Sequence, residues 1–131
     1  MKPEQLIGLG YRLGSTPEQH GTADCLSLCR SVLAYLGIET PEPKRDWYRR
    51  LKHGDTQIFP EELERWGVKE DLPRLGSVAL CKADNGYGLA VYFFDGWLAF
   101  RDSVVCWSPT GSLPVVAVYY PQKQSCAMLL E

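Results

Sequence analysis

The apolar pattern of this chain changes period once, near Ser77, and that change restricts the folds open to it. Upstream, apolar residues recur every three or four positions, as on one face of a helix. Downstream, runs rich in β-branched and aromatic residues alternate with turn residues. Ser77 to Lys82, Gly88 to Phe94, Trp97 to Asp102 and Val115 to Tyr120 read as strands, with a further one around Val104 to Trp107. Asp95-Gly96 reads as a hairpin turn between two of them, since both residues tolerate positive φ. Helices followed by an antiparallel meander predict an α+β domain. The 131 residues, 45% of them hydrophobic, suit a single domain over 1–131 with one core.

The most ordered helical signal is Gly21 to Gly37, GTADCLSLCRSVLAYLG. Thr22 or Asp24 can cap it by accepting main-chain N–H bonds, Cys25, Leu28, Cys29, Val32 and Leu36 follow at helical spacing, and Gly37 ends it. Cys25 therefore falls in the first turn of a buried helix, where free N–H groups and the helix dipole favour a thiolate. A small apolar residue starting a core helix is the plainer account of the same position, because free cysteines are commonly buried.

The residues around this helix resemble those of the NlpC-type cell-wall cysteine endopeptidases, a branch of the papain-like peptidases. Tyr11, within Ile7-Gly8-Leu9-Gly10-Tyr11-Arg12-Leu13-Gly14, matches the tyrosine of that family's first motif, with Gly10 in place of its proline. Asp24-Cys25 matches the nucleophile and its neighbour, followed here by Leu26-Ser27-Leu28. Leu36-Gly37-Ile38, Leu72 to Val78 and Gly88 to Gly96 follow in the family's order. The resemblance implies a papain-like fold in which a central cysteine helix packs on the C-terminal sheet. It also implies that the catalytic histidine position is occupied by Gly88, and the third polar position by about Phe100. Neither residue can move a proton.

Two functional classes follow from that resemblance. The first is a catalytically degenerate structural or interaction module, such as a component of a phage tail tip or baseplate, with other proteins of a tail or envelope assembly as partners. The second is a cysteine peptidase, amidase or acyltransferase acting on peptidoglycan peptides, with Cys25 as nucleophile, Tyr11 and main-chain N–H groups in support, and His20 as the substitute base. General acid–base assistance is worth on the order of 10²–10⁴ in rate, so a site lacking its histidine favours the module. His20 lies five positions before Cys25 in a stretch, Gly14 to Thr22, that reads as a loop, and an exposed loop histidine is the simpler expectation. A small domain unrelated to these enzymes is a third reading.

Charge and cysteine usage exclude more than they identify. A formal net charge of −2 provides no field for nucleic acid. The cluster Lys44, Arg45, Arg49, Arg50 and Lys52 reads as a solvated helix face. No segment is long and apolar enough to predict a membrane span, and Gly8, Gly10 and Arg12 interrupt any signal-peptide core, so a cytoplasmic or virion-associated location is expected. Five cysteines, an odd number, do not form a disulfide framework, and none stands in a Cys-x-x-Cys pair, so neither a metal nor a cofactor is expected. Cys81, Cys106 and Cys126 read as packing residues. The remaining helical segments are Pro3 to about Leu9, Arg45 to Lys52 and Pro60 to Trp66, where prolines suit first turns and Gly67 a stop.

Overall fold

Asp24 decides where the central helix begins. In the computed structural model of the chain, which describes residues 1–121, the helix α2 spans Cys25–Tyr35. The Asp24 Oδ1 accepts the Ser27 N–H at 2.8 Å while the Ser27 Oγ accepts the Asp24 N–H at 2.9 Å, a reciprocal capping box. The Asp24 Oδ2 accepts the Gly14 N–H at 2.8 Å, which ties the preceding loop to the helix start. Thr22 takes no part in the cap. It lies in a two-residue strand, β2 (Thr22–Ala23), parallel to β1 (Gly10–Tyr11).

The expected loop between Gly14 and Thr22 contains one helical turn, α1 (Pro17–His20), started by proline and ended by Gly21 at φ 68°. The first helical segment is a short 3₁₀ turn over Pro3–Leu6. α3 (Arg45–Lys52) and α4 (Ile58–Trp66) lie where the spacing put them, α4 starting two residues earlier than its proline signalled. Arg50 of α3 joins them, its guanidinium donating twice to Glu61 at 2.8 Å and once to Asp55 at 2.7 Å.

The second half forms β4 (Val78–Ala83), β5 (Gly86–Phe93), β6 (Gly96–Arg101), β7 (Val104–Pro109) and β8 (Val115–Tyr120). With β3 (Val68–Glu70) they complete one mixed sheet of eight strands in the order β2-β1-β7-β6-β5-β4-β8-β3. The antiparallel meander β4 to β7 is therefore present. β8 does not continue it, but returns to pair with β4 and places β3 at the far edge. The order of elements and the mixed sheet make the domain α+β.

The β5–β6 turn departs from expectation. Phe94 and Asp95 carry the positive φ values, 61° and 56°, while Gly96 lies inside β6 opposite Phe93. Glycine is required at 96 for space, because a Cβ there would come within 2.6 Å of the Trp107 ring and the Ser108 carbonyl oxygen. A second tight turn at Asp102 and Ser103, φ 51° and 66°, connects β6 to β7.

Side chains alternate along β5 as its sequence requires. Leu89 and Val91 face α2 and join Leu28, Val32, Leu33 and Leu98 in the main core. Ala90 faces the other way and joins Ala79, Trp97, Ala99 and Val118 in a second, smaller cluster. Cys106 is a partly exposed strand residue, and Cys126 lies outside the described residues.

Candidate functional site

The site is a gap between two strands, and Cys25 sits in it. β5 and β6 pair at Phe93–Gly96, Tyr92–Trp97 and Val91–Leu98. Beyond that point β5 parts from β6, which continues to pair with β7 as far as Arg101–Val104. The main-chain N–H of Leu89 then hydrogen-bonds the sulfur of Cys25 at the start of α2. Gly88, Leu89, Phe100 and Arg101 border a cavity of about 360 Å³ together with Cys25, and Cys81, Lys82, Asp84 and Ser112 also line it.

Fold geometry thus brings together Cys25, Gly88 and Phe100, which lie 63 and 12 positions apart along the chain. A Cβ built on Gly88 meets nothing within 4 Å, so that end of the cavity is open. Tyr11 stands beside the site, its ring edge-on to Phe100 at 5.2 Å between centroids. Burial raises the Tyr11 phenol above its ordinary value, and the neighbouring Cys25 and Asp24 add to the rise. His20 is not brought in. It is an exposed residue of α1 whose Nδ1 accepts the Thr16 N–H at 3.0 Å, and it does not line the cavity.

The ionisation of Cys25 runs opposite to the thiolate expected at a helix start. Burial pushes its thiol up to about 11; the Leu89 N–H works against that shift, and the Asp24 charge adds to it. Cys29, one turn further along, is buried and its thiol is raised well above the ordinary value for the same first reason. At neutral pH the cavity therefore presents a protonated thiol, one main-chain donor, an aromatic wall and no imidazole.

No protein-family profile and no curated protein matches this chain. Its site is consequently read from chemistry alone. Among the described residues, no group of three or more His, Cys, Asp or Glu side chains is arranged to hold a metal ion. No helix among them is long and apolar enough to cross a membrane.

Cys81 is the lining residue that reading the sequence missed as part of the site. Its place was available from hairpin arithmetic. The turn at Asp84-Asn85 pairs Ala83 with Gly86, and counting outward sets Cys81 opposite Gly88. What could not be counted was the parting of β5 from β6, beside which Cys25 joins both residues in lining one cavity.

Proposed function

We propose that this chain is a catalytically degenerate, NlpC-type papain-like domain that serves as a structural or interaction module, of the kind used in a phage tail tip or baseplate. The observation that carries this reading is the composition of one cavity. The cavity that the thiol at the start of the central helix lines has a glycine and a phenylalanine at the positions where the resemblance calls for a base and a polar partner. A thiol held near 11 is almost wholly protonated at neutral pH, and the cavity holds no imidazole to accept its proton or to protonate a leaving amine.

The test is incubation of the purified protein with peptidoglycan muropeptides, beside Cys25→Ala and Gly88→His. The expected result is no product from the natural chain or from Cys25→Ala. Open space at Gly88 accepts a new side chain, but residue 88 shares the face of Ala90, turned away from α2, so Gly88→His is expected to fold and to give no product either. Muropeptide cleavage by the natural chain that disappears in Cys25→Ala would reverse the assignment in favour of a peptidase or amidase acting on peptidoglycan peptides. Copurification with tail or envelope proteins would identify the partners of the module.

A further inference from the structure

We propose that a cavity between α2 and α4 is a binding site for a small, uncharged, apolar molecule. Its volume is about 40 Å³. A water needs about 10–15 Å³ of such space, so the cavity takes a group of about three or four non-hydrogen atoms. Leu26, Cys29 and Leu33 line it at helical spacing along α2, and Phe59, Leu63 and Trp66 do so along α4. Val78 and Leu89 line it from the sheet, and Trp47 from α3. All of these residues pack in the helix-side cluster, so the wall lies on one side of the sheet. Close-packed cores leave few voids larger than a water, which sets this one apart.

The chemistry of the wall selects the ligand. It is almost wholly apolar, and the two charged residues that reach it are paired elsewhere. The Arg30 guanidinium donates to the Thr40 hydroxyl at 3.3 Å and pairs with Glu42 at 3.4 Å, while the Glu62 carboxylate faces Arg65 at 3.9 Å. A bound water needs about two to four polar partners and a buried ion needs a counter-charge, so neither suits this wall and a hydrocarbon does. Arg30 and Thr40 also border a surface groove, and so stand between the cavity and solvent. Thr40 and Pro41 belong to the segment 39–43 that links α2 to α3, whose main chain makes no hydrogen bond among the described residues. Its two polar contacts with α2 both come from Arg30. Moving this segment aside therefore breaks no main-chain hydrogen bond, which makes it the way in. The site shares only Leu89 with the cavity at Cys25, and it is independent of the proposed scaffold.

The experiment dissolves xenon or cyclopropane under pressure in a solution of the full chain and follows its methyl resonances by NMR. Saturable shifts are expected at Leu26, Leu33, Leu63 and Val78, with the fluorescence of Trp47 and Trp66 changing in step. None is expected at Val105, in the same core but outside the lining, or at Val118 on the other face of the sheet. Protonated cyclopropylamine, the same ring carrying a charge, is expected to bind weaker by about tenfold or more. Cys29→Leu fills the cavity from α2 and is expected to abolish the shifts, while Arg30→Met frees the segment 39–43 and is expected to speed xenon exchange severalfold. No saturable shift in the natural chain, equal affinity for the charged and uncharged rings, or undiminished binding in a folded Cys29→Leu chain would each reduce the site to a packing void. Unchanged exchange in Arg30→Met would overturn the entry route. The muropeptide result leaves all of these outcomes unchanged, so the two readings fail separately.

Discussion

Cys25 occupies the end of a helix that should favour its anion, yet it is held as a neutral thiol. The dipole effect at a helix terminus is worth about 0.3–1 kcal/mol at an exposed position, and removing a charge from water costs more than that. The alkylation rate of Cys25 is therefore expected to climb about tenfold per pH unit from pH 7 to about 10 without levelling. A plateau near pH 7 in an iodoacetamide titration would show a stabilised thiolate and a retained active site. The linkage has a definite sign. A thiol raised in the folded state contributes stability that is fully present below the ordinary thiol value of about 8.5, and this contribution is lost as pH rises toward about 11. Asp24 next to it is buried with both carboxylate oxygens committed, to Ser27 and to Gly14. Asp24→Ala removes the cap and leaves a loop N–H unpaired. It is expected to cost about 1–3 kcal/mol in urea unfolding, whereas a purely catalytic aspartate would cost activity and little stability.

Elements show the same division between local chemistry and contact. The helices α3 and α4 follow from spacing and proline placement, and Arg50 then fixes α4 against α3 through two carboxylates. The β5–β6 hairpin depends on something else. Asp95-Gly96 carries a strong turn signal, but using it would carry Gly96 out of β6. The ladder instead keeps Gly96 opposite Phe93 and bends the chain at Phe94-Asp95. Packing against Trp107 and Ser108 outweighs the cost of a bulky residue at positive φ. Gly96→Ala is accordingly expected to destabilise by about 1–3 kcal/mol through overpacking. Thermal unfolding of this variant beside Gly88→Ala provides the comparison, since the latter substitution enters open space. Equal losses for the two would refute the steric account.

For the whole molecule, one sheet separates two apolar clusters of unequal size, and the larger, helix-side cluster dominates stability. Leu98 is fully buried there, between the strands and the central helix. Leu98→Ala is expected to cost about 2–5 kcal/mol, measured by chemical denaturation. A loss below about 1 kcal/mol would mean that this face is poorly packed. Much of the architecture was legible from residues. The change of period at Ser77, the cap at Asp24, and the alternation of Leu89 and Val91 against Ala90 depend on neighbours a few positions apart, and such neighbours act through the geometry of the chain itself. The short strands β1, β2 and β3 were not legible, because two or three residues carry no period and form only when a partner strand is already in place. The site divides along the same line. Sequence alone determined a cysteine at the first turn of a buried helix. Tertiary structure decided that β5 parts from β6 above Val91–Leu98, that the Leu89 N–H is directed at the sulfur, and that Cys81 shares the resulting cavity. The physical reason is that burial and strand separation depend on contacts between residues tens of positions apart, and no local pattern encodes them.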